Sequence, residues 1–477
     1  ISLAEAGHAR RCRVRTSRRL IRTMATDPYA MLRTRSYLVL LVLAAIVGVP
    51  IAAAAFGFLT LVDEMQTWVF TELPGDLGFA SEPRWWPIVP LVVAGLVVGA
   101  IIRYLPGQGG HSPADGFKAG AAPTPIELPG ILLAAVASLG LGAVIGPEAP
   151  LIALGGGLAA LVVRLVKRDA PAQAIAVVGA AGSFAAVAAL LGSPLLGAFL
   201  LMEAIGLGGA AATMILLPGL LAAGIGALVF IGIGSNTGVG TLSLAVPNLP
   251  AFAHPNGAQF LWALVIGLAA ALVGSGIRML AVRLRPHVER RAVLLTPVAG
   301  LAVALLAIFY AEVTDHATAD VLFSGQTALP ALINSHAAYT VGALLMLILC
   351  KGLAYGISMS SFRGGPVFPA MFIGAAGGIA MSDLPGMSLV PSVAMGIGAM
   401  SAVLLRLPLT SVLLATLLLG ADGLATMPVV IVAVVVAFVA SAWFVPAPLG
   451  DPAAAEADPT AVATEPVATA PPSPGAG

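Results

Sequence analysis

The chain has 477 residues, 59% hydrophobic and 9% charged, with a formal net charge of +1 and a mean hydropathy of +1.01. That balance excludes a soluble globular domain and makes this a polytopic membrane protein. Near-neutral charge argues against nucleic acid as a partner. Cys12, in an arginine-rich stretch, and Cys350, in an apolar one, offer neither a disulfide framework nor a metal cluster.

Nine arginines precede Tyr37. By the positive-inside tendency, residues 1–36 read as a basic cytoplasmic segment, and the uncharged run at 36–62 reads as a retained helix rather than a signal peptide. Trp85 and Trp86, just before the apolar run at 87–102, read as an interfacial aromatic anchor. Further uncharged runs of membrane-crossing length lie at 128–147, 292–311, 321–350 and 384–405. No charge falls between Glu203 and Arg278, which leaves room for two or three more crossings. The transmembrane domain is expected over 37–446, with halves at roughly 37–235 and 255–446. Residues 447–477 carry Asp451, Glu456, Asp458 and Glu465 without a basic partner and read as a disordered, acidic tail too short for a folded regulatory domain.

For a chain that must be mostly helical, 55 glycines and 36 prolines predict broken helices, placed where backbone lines a polar cavity. Two pairs of motifs repeat in order. Residues 146–157 (Gly-Pro-Glu-Ala-Pro leading) echo 364–378 (Gly-Gly-Pro-Val-Phe-Pro leading), and the stretch around Pro194 echoes the one around Pro408. Pro150 and Pro369 stand 219 positions apart, and Pro194 and Pro408 stand 214 apart, as two structurally related halves require. Chance resemblance among alanine, glycine and leucine is the bland alternative.

Glu148 lies in the first turn of the helix predicted to follow the first motif. A carboxylate is favoured there by the helix dipole, at the place an anion would take, so one side chain can serve as a gate. The competing reading is a simple helix-capping glutamate, but ionisable residues between long apolar runs are more often functional. Glu203 ends an uncharged run and is read either as a proton-path residue or as an interfacial helix end. Arg363 and Arg406 raise positive potential in an anion vestibule or else snorkel to headgroups. The turn at 107–116 is rich in residues that free backbone amides, which suits anion coordination, though alone it reads as an ordinary loop. His111 reads as structural rather than metal-ligating, and no metal or cofactor is expected. The chain lacks His-Glu-x-x-His, Gly-x-Ser-x-Gly and Gly-x-x-x-x-Gly-Lys, so an enzyme is not expected either.

Gly146-Pro-Glu-Ala-Pro150, Gly365-Pro-Val-Phe-Pro369 and Arg406-Leu-Pro-Leu-Thr410, in that order, resemble the motifs of the CLC family of chloride channels and proton-coupled anion antiporters. The turn at 107–116 is similar to the family's first signature. The resemblance covers roughly 37–445 and implies an all-α membrane protein of two inverted repeats with broken helices, a homodimer in lipid with one pore per subunit. It also implies that Glu148 holds the gating position and that anions bind at Gly110, Ser112, Gly146, Ala149, Gly365, Val367 and Phe368. Glu148 and Glu203 are then the candidate proton path.

Several positions depart from the family pattern. Gly110 stands where a serine is usual, with Ser112 nearby. Val367 stands where phenylalanine is usual, with Phe368 one place later. Pro147 and Pro366 remove amide donors. Glu203 is one place before the antiporters' internal glutamate, at Ala204, and the tyrosine that closes the inner side of the site in many members is expected to be missing. The expectation is chloride or other small-anion transport across the cell membrane, channel-like and voltage-gated by resemblance. A proton-coupled antiporter is the alternative, and a scaffold or enzyme without flux is the reading from another class.

Overall fold

A computed structural model describes residues 32–117, 122–206, 209–237, 246–247 and 249–444. The arginines before Met31 and the acidic tail lie outside the described residues. Eight of the described helices are long and apolar enough to cross a membrane.

The first half comprises α1 (Arg35–Thr67), α2 (Ile88–Tyr104), α3 (Leu128–Gly140), α4 (Glu148–Val166), α5 (Ala172–Leu191), α6 (Pro194–Ile205) and α7 (Gly209–Thr237). The second comprises α8 (Gly257–Arg290), α9 (Ala292–Thr314), α10 (Val341–Ser361), α11 (Val367–Ala380), α12 (Leu389–Leu405), α13 (Pro408–Leu418) and α14 (Gly420–Phe444). The halves pack alike. As α4 lies on α5, α5 on α7 and α7 on α1, so α11 lies on α12, α12 on α14 and α14 on α8.

Local chemistry sets the element ends. The Thr34 hydroxyl accepts from the Tyr37 amide to start α1, and Asn256 with Gln259 forms a capping box that starts α8. Gly192 at φ 63° ends α5 two residues before Pro194 opens α6, and Arg406 at φ 61° ends α12 two residues before Pro408 opens α13. The repeat is therefore one of backbone geometry as well as sequence. It is inverted: α8 ends where α1 begins, because Arg285 near its end pairs with Asp115 in the turn that follows α2.

Small residues let the helices of each half approach closely. A Cβ at Gly155 would strike the Gly182 carbonyl, and one at Gly374 would strike that of Gly396. The α4–α5 and α11–α12 pairs thus meet backbone to backbone. Between the halves, α2 lies along α9.

Two sequence expectations are corrected. Trp86 is buried, its indole N–H donating to the Val69 carbonyl at 2.9 Å, so only the half-exposed Trp85 sits as an interfacial residue. The uncharged run at 321–350 is not one crossing. It holds a strap of turns and bends, a short helix (Ala328–Asn334), a turn and only then the start of α10. Phe323 and Gly325 take positive φ in the strap, which no helix accommodates. The strap's carbonyls instead turn inward: the fully buried Lys351 ammonium donates to those of Asp320, Val321 and Leu322 at 2.9–3.1 Å, with Phe323 at 3.4 Å.

The loop before α2 supplies a pH-sensitive contact. Desolvation pushes the half-buried Glu82 carboxyl up to about 7, with the Thr318 side chain opposing it. Between its ordinary 4.5 and about 7 the folded chain holds a proton the unfolded chain has released, so stability falls as pH rises through that window. Glu82→Gln is expected to stabilise the protein above pH 7 by about 1–2 kcal/mol, after allowance for solvent screening. It should have no effect below pH 4, and thermal melts at the two pH values check this.

Candidate functional site

Gly146 and Gly365, one from each half, form a two-residue antiparallel bridge. The Gly146 amide donates to the Gly365 carbonyl at 2.7 Å, and the reverse bond is 2.5 Å. Immediately after each glycine a proline occupies the N-cap, and α4 and α11 begin at Glu148 and Val367. The bridge therefore fixes two helix N-termini side by side in the interior. Pro150 and Pro369 carry no N–H, so the free amides of the two first turns reduce to those of Glu148, Ala149, Val367 and Phe368.

The Glu148 side chain, 0% exposed, fills the junction. Its Oε1 accepts from the Phe368 amide at 3.0 Å, and the amides of Glu148 itself and Val367 lie against the carboxylate. Oε2 has no hydrogen-bond partner. A carboxylate so placed occupies an anion site made by two positive helix ends, while one oxygen stays unpaired. Both glycines are required for this. A Cβ on either would meet the Glu148 carboxylate, and one on Gly365 would also lie 3.0 Å from the Ala149 amide nitrogen. Gly365→Ala is expected to cost about 1–3 kcal/mol. Because most of the collision is with Glu148, the cost should shrink in a Glu148→Ala background, a coupling read from melts of the four proteins of the cycle.

Two cavities flank this junction. The larger, about 530 Å³, is lined by the turn at 107–117, by Ala149 and Pro150, and by Arg363, Gly364 and Pro366. The smaller, about 110 Å³, is lined by Pro147, by Asp63 and Gln66 of α1, and by Ser324 and Gln326 of the strap. Glu148 lines neither; it stands between Pro147 on one side and Ala149 on the other. The larger cavity lies on the face where α1 begins and α2 ends, the smaller on the opposite face.

The residues picked from sequence are thus brought together in part. Gly146, Ala149, Gly365, Val367 and Phe368 surround Glu148. Gly110 and Ser112 line the larger cavity, but their donors are committed: the Gly110 amide goes to the Gly107 carbonyl at 2.8 Å and the Ser112 hydroxyl to the Met359 carbonyl at 3.3 Å. Glu203 stands apart. Its carboxylate caps α13, accepting from the Leu409 amide at 2.9 Å and from the amide and hydroxyl of Thr410 at 2.7 and 2.6 Å. Sequence reasoning missed Tyr355, whose buried hydroxyl donates to the Pro366 carbonyl at 2.8 Å and so braces the second motif. It lies in α10 rather than in the last helix, and no local signal marks it.

Residues 94–442 match the family model of the voltage-gated chloride channels. The chain belongs to that family. Among its relatives is a putative ion-transport protein, YfeO, of Escherichia fergusonii. It is 27% identical over 369 residues, spanning 74% of this chain and 81% of the relative. YfeO of Escherichia coli O7:K1 is 26% identical over the same length. Among solved structures, a slow cyanobacterial Cl⁻/H⁺ antiporter aligns with TM-score 0.69 and 19% identity over 84% of this chain and 94% of its own. A CLC-type fluoride/proton antiporter aligns with TM-score 0.64 and 19% identity, over 85% and 96%. These likenesses establish the all-α voltage-gated chloride channel fold and place the protein in a membrane as a CLC-type anion transporter rather than an enzyme.

Proposed function

We propose that small anions cross this protein between the two cavities and that Glu148 gates the passage. One observation carries the reading: a fully buried carboxylate sits where amides of α4 and α11 converge, with a cavity on either side. An anion reaches those amides only when the carboxylate leaves them, and protonation or competition by the anion itself drives that exchange.

Passive conduction is favoured over coupled antiport. Glu203 spends its oxygens on three donors of α13, which leaves it no part in a proton chain towards Glu148. Antiport is the second reading, supported by the protonatable gate and by the antiporters that share the fold. An imposed chloride gradient across vesicles containing the purified protein separates the two. Anion movement without uphill proton movement is expected; proton uptake against its gradient, abolished by Glu148→Ala, would establish antiport instead.

The face bearing the larger cavity is the cytoplasmic one in this reading. It carries Arg35 at the start of α1, Arg103 at the end of α2 and Arg283, Arg285 and Arg290 at the end of α8. The opposite face carries Asp63, Glu64 and Asp76 near the end of α1 and Glu312 and Asp315 near the end of α9. The protein is then a plasma-membrane protein with a cytoplasmic N-terminus, surrounded by lipid and paired with a second copy of itself. The α6 and α13 helices, packed together, expose Leu195, Phe199, Leu409 and Leu417. At 12 and 11 residues they are too short to face a hydrocarbon layer of about 30 Å alone. A second copy covers that face.

A further inference from the structure

We infer that the larger cavity is built around Arg363 to take a planar oxyanion, such as a small carboxylate or nitrate, in preference to a spherical halide. This rests on the transport reading above and names its substrate class.

Arg363 is only 5% exposed, yet it lines the cavity beside Gly364 and Pro366, next to the helix ends that hold Glu148. Its Nε donates to the Gln108 carbonyl at 3.3 Å and its Nη1 to the Phe362 carbonyl at 3.4 Å. Both bonds are long, and among the described residues Nη2 has no hydrogen-bond partner and no carboxylate pairs with the guanidinium. Its nearest charged neighbours are already engaged with one another: Arg285 pairs with both Asp115 and Glu289. A buried guanidinium with free N–H donors needs an acceptor from outside the chain.

Gln108, His111 and the Ala149 amide also line the cavity, but none presents the planar two-nitrogen fork of a guanidinium. The hydroxyl of Ser112 donates to the Met359 carbonyl. That of Ser183 donates to the Ile152 carbonyl at 3.0 Å, with that of Gly179 at 3.3 Å. A hydroxyl has one proton to give, so both serines face the cavity as acceptors only. Glu127, at the cavity wall, is part-buried, and its Oε2 accepts from the Thr124 amide. Arg363 is the buried guanidinium among the donors that line this cavity. A guanidinium presents its N–H groups in one plane, a fork that matches two oxygens of a carboxylate or nitrate and that a single halide cannot fill. The cavity, about 530 Å³, also has room for an organic anion.

The test is calorimetric titration of the detergent-purified full chain with formate, nitrate, chloride and fluoride. Formate and nitrate are expected to bind about tenfold or more tighter than either halide. Arg363→Lys keeps the charge and a donor for the Gln108 carbonyl but removes the planar fork. It is expected to weaken formate about tenfold while leaving chloride nearly unchanged. Halide binding as tight as formate in the wild type would overturn the inference without recourse to any variant, and so would unchanged formate affinity in a folded Arg363→Lys. Vesicle flux separates the two claims. Oxyanion binding without movement of any anion would leave this site standing and sink the transport reading. Chloride flux without oxyanion preference would do the reverse.

Discussion

Lys351→Met is expected to lose about 3–5 kcal/mol of stability, the largest effect of any single change considered. The ammonium is fully buried, donates to a run of backbone carbonyls from Asp320 to Phe323, and lies 4.4 Å from the centroid of the Phe372 ring. Methionine fills the volume but supplies no donor. The strap carbonyls then face an apolar interior unpaired, and each such group costs about 1–3 kcal/mol before relaxation. The strap also supplies Ser324 and Gln326 to the smaller cavity, and its Phe323 amide bonds the Gly142 carbonyl in the turn leading to Glu148. Loosening it should therefore alter that cavity as well as the melting temperature. Thermal melts in detergent check the first effect, and a Met variant as stable as wild type would show that the carbonyls find other donors.

Glu148→Ala is expected to raise anion affinity at the helix-end site about 10- to 100-fold. The carboxylate now holds the site through the Phe368 amide at 3.0 Å. A charge-assisted hydrogen bond is worth about 1.5–3 kcal/mol, and each 1.4 kcal/mol is a factor of ten. With the competitor gone, an incoming anion meets the four amides unoccupied. Glu148→Gln keeps the bulk and loses the charge, so it should fall between wild type and Ala. Titration with chloride or formate distinguishes them, and equal affinity in all three proteins would mean that the carboxylate does not occupy the anion's place.

The pairing of Gly146 with Gly365 was legible because both halves carry the same glycine-proline punctuation ahead of an apolar run, and backbone chemistry at a helix start is local. For the same reason Pro194 and Pro408 identified α6 and α13 as counterparts. What was not legible depends on contacts between segments distant in sequence. Trp86 has the composition of an interfacial anchor, and only the Val69 carbonyl, reached through the turn after α1, makes it a core residue. The run at 321–350 carries no charge and passes for a crossing by length alone, while the positive φ of Phe323 and the Lys351 ammonium that make it a strap come from the packing. Glu203 could be placed near a helix end from its neighbours, but its three donors belong to a helix some 200 residues away in sequence. Arg363 was visible only as a charge beside a motif; that its guanidinium faces a cavity follows from the turn at 107–117 folding across it.

The most direct test of the gated pathway is anion efflux from liposomes loaded with chloride or formate and containing the purified full chain, with a potassium ionophore balancing charge. Efflux above that of protein-free vesicles is expected, faster with Glu148→Ala than with wild type. Efflux no faster than from empty vesicles, for wild type and Glu148→Ala alike, would contradict such a pathway.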